Sequence, residues 1–221
     1  MTDKHLKFDP SQFGDPVAMQ TDWTYTTKGI IAGTDFQTHK LAKVDSSRLE
    51  FRATAVALLF YLLFLVGGVV AFFTILYKLF LSGGFSFITG KIVRIIIAVV
   101  ITPLFAIIEL ISWGMFYSGT TPIVFDNLSG LFWKGRKTPN EVFSENPLTE
   151  FAKLKDIHAL QLISKYFRGG RSSYYCYELN LVLQNGKRIN VVAHGNEDKL
   201  REDTGTLSTF LGKPVWDAIK D

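Results

Sequence analysis

Residues that could do chemistry are few in this sequence, and they are scattered. His158, His194 and Cys176 fall on predicted strands, but they lack the spacing of a metal-ligand set. The sequence contains no Gly-Lys-Ser/Thr phosphate loop, no dinucleotide fingerprint, no HExxH pair and no CxxC pair. We therefore expect a protein that is not an enzyme and that uses no metal and no other cofactor.

Glu109 is the one acidic residue inside a long apolar run. A carboxyl group in the hydrocarbon layer costs about 3 kcal/mol, so it usually faces a partner, a cavity or water. One interpretation is a hydrogen-bonded carboxyl near the interface, for example bonded to Ser112. The other is a small oligomeric pore built around Glu109.

Two apolar runs indicate a membrane hairpin over residues 52–118. The chain has 221 residues, of which 48% are hydrophobic, and no charge occurs in residues 53–77. Spans at about residues 53–77 and 95–117 are long enough to cross a hydrocarbon layer of about 30 Å. The short linker between them predicts two antiparallel helices.

Small residues at four-residue spacing mark one face of each predicted helix. Gly67 and Ala71 form such a stripe on the first helix, and Ala98, Thr102 and Ala106 form one on the second. Such stripes let helix backbones approach closely in lipid. We predict that they pack inside the hairpin.

Flanking basic residues set the predicted orientation, because lysine and arginine near span ends tend to stay cytoplasmic. Seven lie on the side of the termini, against Lys78, Lys91 and Arg94 on the side of the connecting loop. The seven are Lys40, Lys43, Arg48, Arg52, Lys134, Arg136 and Lys137. We predict a multi-pass protein of the inner membrane with both termini in the cytoplasm, where the single Cys176 stays reduced.

Residues 1–51 are predicted as a cytoplasmic N-terminal tail. One short strand is expected at residues 22–27. Trp23, Tyr25, Ile30 and Ile31 are too large and apolar for a solvated tether. We expect the tail to pack on the cytoplasmic domain or to lie along the membrane surface.

Residues 119–221 are predicted as a cytoplasmic β domain. Period-two patterns predict strands at residues 122–125, 131–134, 154–167, 175–184 and 187–194, with Asn185 and Gly186 in a tight turn. An amphipathic helix should follow, capped by Asn196 and ended by Gly212. Five or six antiparallel strands closed by a helix have the layout of a pleckstrin-homology-like (PH-like) domain.

Two groups of basic residues are candidate contacts for lipid or for a partner protein. The first lies next to the second span, and the second surrounds a predicted turn. The six residues are Lys134, Arg136, Lys137, Lys165, Arg168 and Arg171. Binding of nucleic acid would need a broader basic face.

Four short segments, all in the C-terminal half, carry a family resemblance. They are residues 125–133 (FDNLSGLFW), Leu154, Asp156 and Ile157 leading to Gln161, residues 177–190 (YELNLVLQNGKRIN), and Leu207, Phe210, Leu211, Pro214 and Val215. With the hairpin, they resemble the photosystem I assembly proteins and, more closely, bacterial inner-membrane proteins with PH-like domains. The resemblance implies a role in assembling membrane complexes and implies no catalytic residue. The long N-terminal tail departs from the photosynthetic pattern.

The sequence thus predicts an α+β membrane protein: a two-helix transmembrane hairpin followed by a PH-like antiparallel β domain with a C-terminal α-helix. Its predicted function is a non-enzymatic, membrane-anchored interaction or assembly protein that binds a membrane-protein partner. The alternatives are an anionic-lipid-binding module and the oligomeric pore around Glu109. Self-association into a homo-oligomer stays open.

Overall fold

Two units make up the chain in a computed structural model, which describes residues 8–26, 36–81, 90–139, 150–168 and 173–219. One unit combines Met1–Thr54 with Thr121–Asp221, and the other is Ala55–Thr120. The predicted division into a tail and a separate C-terminal domain therefore differs from the structure, in which both ends of the chain form one unit.

The second unit is a pair of helices. Helices α2 (Ala55–Phe80) and α3 (Lys91–Gly119) are long and apolar enough to cross a membrane. This confirms two candidate spans, although α2 begins and ends later than predicted and α3 extends beyond the predicted limits at both ends. Most of the linker between them, residues 82–89, lies outside the described residues.

Helices α2 and α3 contact each other along one face of α2. The contacting residues of α2 are Tyr61, Gly68 and Phe72, and their spacings of seven and four residues place them on the same helix face. Phe72 packs on Phe105, with 5.3 Å between ring centroids. Gly68 lies against Glu109, and Tyr61 lies against Gly119. The order of these contacts makes the two helices antiparallel, as predicted.

The predicted small-residue stripes do not form this contact. A Cβ atom at Gly67 would meet no atom within 4 Å, and Thr102 and Ala106 are exposed. The prediction was off by one residue on α2, because the contact uses Gly68. Its partner on α3 is the larger Glu109, which no search for small residues would select.

A first, fully antiparallel sheet has the order β1-β2-β3-β4-β5. Its strands are β1 (His39–Lys43), β2 (Arg48–Ala53), β3 (Ile123–Asp126), β4 (Leu131–Lys134) and β5 (Phe151–Lys153). The predicted β3–β4 hairpin is confirmed, with Gly130 at φ +68° in its turn. Strands β2 and β3 pair directly, although α2 and α3 lie between them in the chain.

A second sheet has the order β8-β7-β6-β9. Its strands are β6 (Ile157–Arg168), β7 (Ser173–Leu183), β8 (Arg188–His194) and β9 (Val215–Asp217). The β7–β8 hairpin turns at Asn185 and Gly186, as predicted, with Gly186 at φ +75°. Strand β9 pairs in parallel with β6. Among the described residues of 119–221 the structure therefore has seven strands, β3 to β9, instead of five or six antiparallel ones.

An irregularity at the start of β6 changes which side of the sheet Ile157 faces. The pairing register shifts between Ile157 and Ala159. Ile157 therefore joins the core with Leu160 and Leu162, while Ala159 packs on the opposite side with Trp216. Strict alternation had placed Ile157 and Ala159 together.

The predicted C-terminal helix is confirmed as α4 (Glu197–Leu211). The Asn196 side chain accepts a hydrogen bond from the Lys199 amide at 3.0 Å, and Gly212 ends the helix at φ +62°. Leu200 and Leu207 are fully buried in a core that also contains residues of both sheets. That core includes Phe51, Phe125, Phe132, Leu160, Leu179, Leu181 and Val192.

The N-terminal segment departs most from the prediction. Strands β1 and β2 lie within the part expected to be a tail, and residues 22–26 form no strand. Residues 8–26 contain a short 3-10 turn (Pro10–Phe13) and helix α1 (Pro16–Gln20). Ile30 and Ile31 lie outside the described residues.

Candidate interaction surfaces

The first predicted basic group lies at the end of β4 and just after it. Lys134 forms an ion pair with Glu150, with 2.5 Å between Nζ and Oε2. Arg136 and Lys137 follow β4 in a bend and are exposed. This group therefore has two exposed side chains, Arg136 and Lys137, beside the ion pair of Lys134 with Glu150.

The β6–β7 hairpin extends beyond the rest of its sheet. Strand β9 pairs with β6 only at residues 160–162, and β8 pairs with β7 only as far as Tyr177. Residues 165–168 and 173–176, which we call the arm, pair only with each other among the described strands. Two strands alone are marginally stable in water, so side chains on the arm must supply much of its order.

Aromatic side chains cover both sides of the arm. On one side, Tyr166 packs on Tyr175 at 4.9 Å between ring centroids, and both side chains are about half exposed, at 51% and 54%. On the other side, Phe167 stacks on Tyr174 at 5.5 Å, and the Tyr25 ring meets Phe167 edge-on at 5.8 Å. Exposed tyrosine rings combine a large apolar area with a polar tip, which is typical of interaction surfaces.

The second predicted basic group is divided between these two sides. The Lys165 Nζ atom lies 5.2 Å from the centroid of the Phe167 ring and 5.7 Å from that of Tyr25. Arg168 is three residues further along the strand and so points to the opposite side. Arg171 lies outside the described residues, together with Gly169 and Gly170.

Residues 8–26, which we call the strap, cover the outer side of the second sheet. Trp23 packs between Phe13 and Trp216, with ring-centroid distances of 5.4 and 5.9 Å. Asp15 pairs with His158 at 2.7 Å between Oδ2 and Nε2. This confirms the prediction that the N-terminal segment packs on the β domain.

Polar side chains of the second sheet hold the strap by its main chain. Gln161 Nε2 donates to the Asp22 carbonyl oxygen at 3.1 Å, and Arg188 Nη1 donates to the Thr24 carbonyl oxygen at 2.8 Å. The Thr26 amide donates to the Glu178 carboxylate at 3.0 Å. These contacts occur at every second residue of the segment, which bends at Thr24.

The same polar side chains are linked across three strands beneath the strap. Asn180 Nδ2 donates to Gln161 Oε1 at 3.2 Å, and Asn190 Nδ2 donates to Asn180 Oδ1 at 3.3 Å. Gln161, Glu178 and Asn180 are fully buried. Sequence analysis missed this site, because alternation alone implied a solvated side; the useful signal was the combination of these polar residues with the aromatic residues of the N-terminal segment.

Glu109 lies within the helical pair. Its Oε1 atom is buried and has no hydrogen-bond partner among the described residues, and a Cβ atom at Gly68 would collide with it. The suggested bond to Ser112 is not present, since Ser112 Oγ donates to the Ile108 carbonyl oxygen at 2.9 Å. The carboxyl group occupies the space left by the missing Gly68 side chain.

His194 and Cys176 are both buried, and neither belongs to a metal-binding group among the described residues. His194 Nδ1 accepts a hydrogen bond from the Asn196 amide at 3.2 Å, so the proton of the neutral ring sits on Nε2, which finds no partner among the described residues. Burial, with a smaller effect of His39, lowers the pKa of His194 to about 4. The Tyr25 hydroxyl donates to Cys176 Sγ at 3.0 Å. No group of three or more His, Cys, Asp or Glu side chains in the described part of the chain could hold a metal ion.

Fold and surfaces together define a mixed α+β protein with two sheets and two helices that could cross a membrane. Comparison with known proteins adds no family to this class: no protein-family model, no curated protein and no solved structure matches the chain. The resemblance to photosystem I assembly proteins stays a prediction.

Proposed function

We propose that this chain is a membrane-anchored interaction protein without catalytic activity. In this proposal α2 and α3 cross the inner membrane, both termini are cytoplasmic, and the unit of two sheets is a PH-like domain that binds a membrane-protein partner. The consequence is assembly or stabilisation of a membrane complex.

The arm is the observation that carries this proposal. It presents two half-exposed tyrosines, Tyr166 and Tyr175, on a hairpin that extends beyond β8 and β9. Exposed aromatic rings favour association with another surface. A partner would also supply the packing that two isolated strands lack.

Helices α2 and α3 support the membrane part of the proposal. Exposed side chains on them include Leu59, Leu63, Val99 and Leu110, which in water would form a large apolar surface. Monomeric soluble proteins rarely leave such a surface uncovered. Lipid is therefore the environment that suits these two helices.

Purification from detergent-solubilised membranes tests the proposal. We expect the wild-type chain to co-purify with a membrane protein, and a Tyr166→Ser/Tyr175→Ser chain to lose it. A Thr206→Ser/Thr209→Ser chain, changed on an exposed face of α4, should retain it. A wild-type chain that purifies alone after crosslinking, or an arm variant that retains the partner, would contradict the proposal.

Binding of anionic lipid is the second candidate function. Lys165 and Arg168 place a cation on each side of the tyrosine-bearing arm, and a cation near an anionic membrane surface gains about 1 kcal/mol. Hydrogen exchange of the full chain in nanodiscs separates the two functions. Lipid binding predicts that phosphatidylglycerol slows exchange in the arm and that Lys165→Gln/Arg168→Gln abolishes the effect, whereas partner binding predicts no dependence on lipid charge.

A further inference from the structure

The strap is held in a way that differs from the packing of a core element. Its residues 22–26 form no strand, and side chains of the second sheet reach the main chain of Asp22, Thr24 and Thr26. Two side chains of the segment add to these contacts: Asp22 pairs with Arg188 at 3.1 Å, and the Thr26 hydroxyl group donates to Glu178. The main-chain contacts could bind another segment, and the two side-chain contacts would favour an acidic and a hydroxyl residue at the same positions.

Side chains between these main-chain contacts occupy two separate sites. Trp23 enters the aromatic site formed by Phe13 and Trp216, and its Nε1 atom donates to the Ala18 carbonyl oxygen at 3.0 Å. Tyr25 lies against Phe167, with its hydroxyl group on Cys176 Sγ. The bound segment thus presents an aromatic residue at every second position.

The side of the sheet under the strap has an apolar part and a polar part. Ala159, Val182 and Trp216 form a buried cluster with Ala18 of α1. Gln161, Glu178 and Asn180 contact residues 22–26 or one another and would be solvated if those residues left, whereas a permanently covered side of a sheet is normally apolar. Burial lowers the pKa of the Arg188 guanidinium, while Asp22 and Glu178 act in the opposite direction. The charged groups thus compensate one another while the strap is in place.

We propose that this face of the second sheet is a peptide-binding site for a segment with aromatic side chains at alternate positions, and that residues 22–26 occupy it as the chain's own ligand. The external ligand is a peptide segment of a partner protein with the aromatic-x-aromatic pattern. The strap competes with it, so access to the site is self-regulated.

Peptide binding to the full chain in detergent micelles tests this proposal. The probe is a fluorescein-labelled peptide of residues 15–26 (DPVAMQTDWTYT), and the control peptide has alanine in place of both aromatic residues. The Trp23→Ala/Tyr25→Ala chain should bind the probe saturably, and the wild-type chain should bind it about tenfold more weakly because its strap occupies the site. Adding Arg188→Met to the open chain should weaken binding, since the donor to the main chain is lost.

Absence of probe binding to a folded Trp23→Ala/Tyr25→Ala chain would overturn the proposal, and so would equal binding of the control peptide. If that chain does not fold, hydrogen exchange of the wild-type chain decides. The Thr26 amide should exchange about 100-fold faster than the amides of Leu179 and Leu181, as expected for local opening. Equal exchange rates would show that the strap is part of the core and would overturn the proposal. They would leave the proposed function of the arm unaffected.

Discussion

At the scale of single residues, Gly68 and Glu109 show how a polar group is accommodated in an apolar helical pair. Oε1 of Glu109 lies 1.9 Å from the place that a Cβ atom at position 68 would take, so a larger residue there would force the end of the Glu109 side chain to move. Gly67 is next in the chain but has open space around it. The two glycines are therefore a matched pair for experiment.

Gly68→Ala should destabilise the helical pair by about 1–3 kcal/mol, because the added methyl group forces Glu109 to move. Gly67→Ala should have little effect or a small stabilising one, since alanine favours a helix. Thermal unfolding in micelles gives both values. Adding Glu109→Ala should restore much of the stability of Gly68→Ala; equal effects of the two glycine substitutions would contradict the packing described.

His194 makes a second prediction at the residue scale. Its native pKa of about 4 lies below the usual value of 6.5. As the pH falls from 6.5 to about 4, the unfolded chain therefore takes up a proton on this histidine and the native chain does not. This contribution lowers stability by about 3 kcal/mol between pH 7 and pH 4 and vanishes above pH 7.

Chemical denaturation at several pH values measures this effect. His194→Asn keeps a hydrogen-bond acceptor at the position of Nδ1 for the Asn196 amide and removes the titrating group, so its stability should fall less steeply from pH 6.5 to pH 4. The same slope for both chains would show that the histidine is not kept neutral by burial.

At the scale of elements, sequence signals succeeded where they were local. Helix α4 carries a cap at Asn196 and a stop at Gly212, and the β7–β8 turn carries Asn185 and Gly186. Strand β9 has three residues and gains its order from β6, far away in the chain. Strands β1 and β2 depend in the same way on β3, which lies beyond the helical pair.

The cap of α4 gives a prediction at this scale. Asn196→Ala should lower the free energy of unfolding by about 1 kcal/mol, because the Lys199 amide loses its acceptor. Asn196→Asp is the matched control, since aspartate keeps the acceptor and suits the positive end of the helix dipole. A larger loss in the aspartate variant than in the alanine variant would argue against capping as the cause.

At the scale of the whole molecule, the helical pair is an insertion in a β-hairpin. Phe51 of β2 pairs with Ile123 of β3, so the register brings residues 53 and 121 to neighbouring positions. The chain leaves the β unit after β2, forms α2 and α3, and returns to the β unit at β3. The N-terminal segment is thus part of the β unit, which composition alone did not indicate.

A chain in which a short Gly-Ser turn replaces residues 55–120 should fold as a soluble β unit, because the turn joins two strands that already pair. Residues 121–221 alone lack β1, β2 and the strap, so they should aggregate or stay unfolded. Dispersion of amide NMR signals measures both outcomes. A well-folded 121–221 fragment would contradict the role given to the N-terminal segment.

Photocrosslinking in intact cells tests the central claim, that the arm of a membrane-anchored domain contacts a membrane-protein partner. The photoreactive residue p-benzoylphenylalanine would replace Tyr175 on the arm and, as a control, the exposed Thr209 on α4. We predict one discrete adduct with a membrane protein from position 175 and none from position 209. No adduct from position 175, or the same adducts from both positions, would contradict the claim.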